Sequence, residues 1–169
     1  MLRGNRRMKI KCNEKQRVIT IFDEKGNEKC KEEMAAKLKI NNNKVMFIKP
    51  YEFELQGEVY IGNLTDLDNI KKLKIPLEDD KSVKDIAWLD DGRILLIIGY
   101  YWGTVSTGGD LYQYNLHFEK LDLIAKFPDE IQLDTIHEIN QREVHLKGII
   151  YTDAIMNEYI DYEKKVSLI

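Results

Sequence analysis

The 169-residue chain carries 26 Lys and Arg against 29 Asp and Glu, a net charge of -3, with 43% hydrophobic and 33% charged residues. This is the balance of a well-solvated globular protein rather than a disordered segment, and its mildly acidic sign argues against binding nucleic acid by phosphate neutralisation. A chain of this length is one domain by prior and buries about 70% of its unfolded surface, so a core needs neither disulfide nor metal.

In chain order, Met1 to Cys12 is basic and lacks the apolar stretch of a secretory signal. Lys9-Ile10-Lys11 is a poor context for lipid attachment at Cys12, and Met8 is an alternative start that would make residues 1–7 a leader. The longest apolar run, Ile94 to Ile98, is too short to cross a bilayer. Cys12 and Cys30 form no CxxC pair and have no nearby His, which reads as two thiols in a reducing compartment. The expected location is cytoplasmic. Lys9–Cys12 and Arg17–Phe22 look like a β-hairpin, and Asp23–Gly26 like a turn. Residues 27–38 are ambiguous. Cys30, Met34 and Leu38 fall at helical spacing among helix-favouring Glu and Ala, so a short helix or extended turn is expected, then a strand from Lys37.

From about residue 35 the chain repeats. Copy one holds Asn43–Ile48, Tyr51, Glu58–Ile61 and Lys72–Ile75. Copy two holds Gly92–Ile97, Tyr100, Asp110–Tyr114 and Lys120–Leu123. Copy three holds Gln141–Leu146, Tyr151, Glu158–Tyr162 and Lys165–Leu168. Lys44, Arg93 and Arg142 stand about 49 residues apart, close to the period of propeller-type repeats. With first strands near Lys37–Asn41, Val83–Leu89 and Leu133–Ile139, each copy reads as four short strands, A to D. Asn41–Asn43 and Asp90-Asp91-Gly92 form the A–B turns, since Asn and Gly tolerate the left-handed region.

Ile94 to Ile98 is apolar at every position, so both faces of that strand are expected to be buried. Val144 and Leu146 alternate with His145 and Lys147, leaving one wet face, as in the capping repeat of a stacked array. In copy one Val45 and Phe47 point one way and Met46 and Ile48 the other. The N-terminal hairpin, through Ile10, Val18, Ile19, Ile21 and Phe22, is expected to cover this copy as a partial fourth blade. The expected fold is all-β: about three four-stranded, propeller-blade-like antiparallel sheets plus an N-terminal β-hairpin, an incomplete propeller. It forms a single domain over 1–169, divided into 1–34 (hairpin and connector) and repeats at 35–77, 78–128 and 129–169.

In a blade, the B–C and D–A loops emerge on the same edge. The repeat therefore collects Tyr51, Glu52, Phe53, Tyr101, Trp102, Thr104, Thr107 and Asp153 at one end. Aromatics interleaved with hydroxyls and carboxylates suit a ligand or partner; the alternative is that the rings plug the core between blades. Gly108-Gly109 has neither a following helix nor a Walker lysine, so it is not a phosphate loop. The carboxylate pairs Glu52/Glu54, Asp79/Asp80 and Asp90/Asp91 are adjacent in sequence, which does not place them across a cleft as hydrolysis requires. Asp85, inside an apolar strand, either sits on a wet face or clamps backbone. His117, His137 and His145 are too widely spaced for a metal motif, and Ser106 lacks the G-x-S-x-G context. No catalytic residue, metal ligand or cofactor is expected.

The run Ser82–Asp91, followed by Ile97–Tyr100, Trp102–Ser106 and Gly108–Tyr112, resembles an uncharacterised bacterial domain family, as does Phe47–Glu54. The resemblance spans roughly Leu38 to Tyr162. It implies relatives that are often anchored outside the membrane by a lipidated N-terminus, which this chain is expected to lack, and it brings no activity with it. A broader resemblance to TolB-like and WD-type blades implies a scaffold role, by fold analogy alone. The expected function is a non-catalytic binding or protein-interaction module using the B–C loop end. The alternative is a hydrolase acting on a sugar or peptide through Glu52, Asp153 or both. A third option is an assembly component without a small ligand. Expected partners are a protein or small ligand of unknown identity, with no nucleic acid and no membrane span, for a monomer or small homo-oligomer.

Overall fold

Short strands broken by turn residues fill the chain, and the computed structural model describes residues 8–103, 106–140 and 142–168. The leader expected at 1–7, and Thr104, Val105 and Gln141, lie outside the described residues. The first sheet is β1 (Lys9–Asn13), β2 (Val18–Phe22) and β3 (Glu28–Glu33). The second is β4 (Ala36–Asn41), β5 (Lys44–Lys49), β6 (Glu58–Asn63) and β7 (Asp66–Lys72). The third is β8 (Lys81–Trp88), β9 (Arg93–Tyr100), β10 (Asp110–Asn115) and β11 (Lys120–Ala125). The fourth is β12 (Ile131–Ile139), β13 (Glu143–Tyr151) and β14 (Tyr159–Ser167). Each sheet is an antiparallel meander in which every strand pairs with its sequence neighbour. The fold is all-β, as expected.

The two-faced strands explain the stacking. Ile94, Leu96 and Ile98 of β9 pack with Met46, Ile48 and Tyr114 between the second and third sheets, while Leu95 and Ile97 pack with Leu133, Val144 and Leu146 between the third and fourth. Phe47 turns the other way, onto Ile19, Ile21 and Ala35, so the N-terminal strands cover the outer face of β5 as the sequence suggests. On the far side of the fourth sheet, His145, Lys147 and Glu163 form a polar ladder, with 3.1 Å from His145 to Glu163 and 3.2 Å from Lys147 to Glu163.

Four local expectations differ from the structure. No helix forms at 27–38: β3 pairs with β2 instead, and Met34 and Lys37 have φ of 54° and 57°, which no right-handed helix accommodates. Pairing overrides the helical propensity of the Glu and Lys residues. The fourth strand of the second sheet runs from Asp66 rather than Lys72, because Asn63 Oδ1 accepts the Thr65 amide (3.0 Å) and closes a tight turn. In the last sheet the expected C and D strands are one strand, β14, which pairs with β13 from Tyr151↔Tyr159 to Glu143↔Ser167. No Gly, Pro or Asn interrupts residues 159–167, so nothing turns the chain back. The first strand of that sheet begins at Ile131, two residues before the expected Leu133.

The first strands of the last three sheets, β4, β8 and β12, share an irregularity that sets up the site. Register shifts fall between Ala36 and Lys39, Val83 and Asp85, and Leu133 and Thr135. A bulge of this kind re-aims side chains out of strict alternation. It buries Asp85, whose Oδ2 accepts the Ile136 amide of the next sheet (2.7 Å) and whose Oδ1 lies 3.7 Å from Lys37 Nζ of the preceding one. Asp85 is thus the backbone clamp, not a wet-face residue. Burial raises its pKa above the usual aspartate range, against the opposing pull of Lys37 and the Ile136 amide.

Candidate functional site

The β5–β6, β9–β10 and β13–β14 loops emerge at one end, and each of the first two is stitched to the next sheet. The Val83 amide donates to Gly57 O (3.1 Å) and the Leu133 amide to Gly108 O (3.2 Å). The Gly57 amide donates to Ser82 Oγ (2.8 Å), and the Thr107 amide to Gln132 Oε1 (3.1 Å). A Cβ on Gly57 would sit 2.9 Å from Ile48 Cγ2, so this close approach requires glycine.

Between the two loops lies a pocket of about 210 Å³. Pro50, Tyr51, Phe53, Leu55 and Tyr101 give it apolar walls, and Arg17, Glu52, Lys84 and Thr107 supply its polar groups. Of the eight residues singled out in the sequence, five line this pocket: Tyr51, Glu52, Phe53, Tyr101 and Thr107. Trp102, which follows the pocket-lining Tyr101 in sequence, is 57% exposed and Phe53 is 66% exposed, so neither ring is a core plug. Tyr51 is half-buried against the core, its amide donating to Met34 O (2.6 Å) and its ring 5.9 Å from Lys37 Nζ. Burial pushes its hydroxyl above the usual tyrosine range. Thr104 lies outside the described residues. Asp153 is not brought to the pocket; its Oδ1 accepts the Asn157 (2.8 Å) and Glu158 (3.0 Å) amides and shapes its own loop.

The charged groups at the pocket are of two kinds. Arg17 and Glu52 form an ion pair, and the Arg17 hydrogen bond holds the Glu52 carboxyl below its ordinary range. Lys84 has no hydrogen bond or ion pair among the described residues. It is the extra residue of the β8 bulge, between Val83↔Ile98 and Asp85↔Ile97, and burial lowers its pKa from the ordinary lysine value. Lys84, Arg17 and Leu55 were not anticipated as site residues. One signal was present: Lys84 and Asp85 are adjacent charges inside a strand, and period-two alternation cannot put both on a wet face.

Other chemistry is weakly supplied. Gly108 donates its amide to Ser106 Oγ (3.1 Å), so that N–H is not free for an anion. Burial and Glu14 push the Cys12 thiol up to about 11, and burial and Glu32 raise Cys30, so neither is a thiolate at neutral pH. Among the described residues, no three His, Cys, Asp or Glu side chains are grouped to hold a metal, and no helix is long and apolar enough to cross a membrane.

Comparison with curated proteins finds no match. Among solved structures, the chain is similar to a protein named a putative conserved lipoprotein from Clostridium novyi NT. The TM-score is 0.64 at 24% identity, covering 79% of this chain and 86% of that one. It is also similar to the Pyrococcus horikoshii acylaminoacyl peptidase, with a TM-score of 0.54 at 15% identity, over 96% of this chain but only 30% of the peptidase. At these identities both likenesses concern the fold alone. A family model matches residues 52–167, from the pocket-lining Glu52 to the end of β14, and the chain belongs to that family, the domain of unknown function DUF4652.

Proposed function

We propose that this chain is a non-catalytic binding module whose loop end, centred on Tyr51, Phe53, Tyr101 and Trp102, engages a small ligand or protein segment. The observation that carries this reading is the collection of exposed Phe53, Leu55, Trp102 and Ile155 on the loops of one end, with the pocket among them. Exposed rings around a concave site are a common anchor for recognition. The four sheets are read here as blades of an open, propeller-like array, for which the shared bulge of β4, β8 and β12 is the support.

The hydrolase alternative finds less support. Glu52 is the one carboxylate lining the pocket among the described residues, and its ion pair with Arg17 keeps it ionised, which suits neither a general acid nor a paired mechanism. A cytoplasmic setting stays part of the proposal, supported by the free Cys12 and Cys30; the name of the Clostridium novyi protein points the other way, and fractionation of the native cell decides it.

A panel of peptides and oligosaccharides, followed by amide NMR shifts and by product analysis in the same tubes, tests the function. The expected result is shifts clustered on residues 51–57 and 100–109 without cleavage. Cleavage that disappears in Glu52→Gln would establish the hydrolase instead, and shifts confined to other surfaces would remove the loop end as the site.

A further inference from the structure

The polar content of the pocket is lopsided. Arg17 is neutralised by Glu52, and Ser82 Oγ is occupied by the Gly57 amide. Among the described residues of the pocket, Lys84 alone carries a charge without a counter-ion, at a half-buried position where ammonium is costly to leave unpaired. A bulge brings it to a wall otherwise made of Val83, Tyr51, Tyr101 and Leu55.

We propose that this pocket binds a monocarboxylate of single-ring size, with the Lys84 ammonium as its counter-ion. The proposal names the ligand class for the binding-module reading above and rests on it. Three features select the ligand. Charge comes first: with Arg17 and Glu52 cancelling, the Lys84 ammonium leaves the described pocket with one positive charge in excess, so one negative charge completes it. A phosphate dianion meets the Glu52 carboxylate and finds neither a second free cation nor a free Gly108 amide. Size comes second: about 210 Å³ is below the range of roughly 300–1,000 Å³ typical of drug-sized sites and above the roughly 150 Å³ that holds one benzene ring. Lining comes third: apolar walls face the body of such an acid, and Thr107 adds a hydroxyl donor to the lining. A free aromatic acid and the C-terminal residue of a peptide both present this chemistry.

The test uses the full chain and four probes: phenylacetate, phenylacetamide, and the tripeptide Gly-Gly-Phe with a free or amidated C-terminus. Amide NMR titration should show phenylacetate shifting Lys84, Tyr101 and Thr107, with phenylacetamide at least about tenfold weaker. In Lys84→Met, which keeps the stem and removes the charge, that preference should vanish, and Lys84→Arg should restore it. The thermal midpoint of Lys84→Met should be unchanged or higher, since an unpaired charge is removed. Tighter binding of the free-acid tripeptide than of phenylacetate assigns the site to peptide C-termini, and the reverse assigns it to free acids. Equal binding of acid and amide, or a preference that survives in Lys84→Met, overturns the ion-pair proposal while leaving the loop end as a binding surface. No shift at these residues with any probe at about 10 mM also overturns it; the binding-module reading is then judged by the panel above.

Discussion

The two ends of the sheets are built on opposite plans. At the turn end, short connections consume their own polar groups. Asp90 Oδ1 accepts the Gly92 amide (2.9 Å), Asn115 Oδ1 accepts the His117 and Phe118 amides (2.9 and 3.0 Å), and Asn140 Oδ1 accepts those of Arg142 and Glu143 (2.8 and 2.9 Å). Asp91 Oδ1 then ties the second sheet to the third through Asn41 (2.9 Å) and Asn42 (3.3 Å). At the loop end the connections are longer, the exposed Phe53 and Leu55 line a pocket, and the Lys84 ammonium in it has no partner among the described residues. Asn and Asp turns are self-sufficient, so they hold the array together and offer little to a ligand. Function is expected where groups are left over.

Four substitutions distinguish the two ends from the core that joins them. Both ends hang from the stacked sheets, so the largest effect belongs between them. Phe47→Ala removes the ring seated between the first and second sheets, stacked on Tyr60 at 5.8 Å. A loss of about 3–5 kcal/mol is expected in urea unfolding; a loss below about 1 kcal/mol would mean that the N-terminal sheet is not a structural cover.

Next comes the clamp between the ends. The raised pKa of Asp85 in the folded state means that its contribution to stability is fully present below the ordinary aspartate range and is lost as pH rises through the folded value. Lys37 and Lys39 act on it directly, and its neighbours Lys37 and Tyr51 also feel Glu14 and Asp134. Asp85→Asn keeps an acceptor for the Ile136 amide and removes the titration. Stability measured from acid to neutral pH should therefore decline less in this variant than in the parent. A slope identical to the parent's would show that Asp85 titrates normally.

Smaller effects separate the ends themselves. Asp90→Ala removes a turn acceptor and the 2.7 Å pair with Arg93, and a cost of about 1 kcal/mol is expected in the same assay. Trp102→Ala at the loop end should change stability by no more than about 0.5 kcal/mol while weakening whatever the loop end binds. If the order of these two were reversed, the division of labour between the ends would fail.

Alternation made much of this legible in advance. Ile94 to Ile98 has no polar position, and the structure buries both faces; Val144 and Leu146 alternate with His145 and Lys147, and one face is wet. Five of the residues grouped by the spacing of the sequence segments, Tyr51, Glu52, Phe53, Tyr101 and Thr107, line one pocket. What escaped depends on contacts that no local pattern encodes. Glu28–Glu33 is a strand because β2 offers it an edge, not because its Glu and Lys favour one. Arg17 meets Glu52 only once the first two sheets are stacked. The fusion of two expected strands into β14 required knowing that β13 is long enough to pair with all of it. Asp153, grouped with the site by repeat position, serves its own turn instead.

The meander order of every sheet has a kinetic consequence. Each strand finds its ladder partner next to it along the chain, so pairing closes only short loops, whose entropic cost is small. Long-range order enters only when finished sheets dock through β4, β8 and β12, with the Asp85 clamp joining all three strands. Such a chain has little need of its C-terminal part while its N-terminal part is forming. Synthesis on the ribosome delivers about 5–20 residues per second, which leaves seconds for each sheet to pair before the next emerges. Vectorial assembly, sheet upon sheet from the N-terminus, is the route this topology favours.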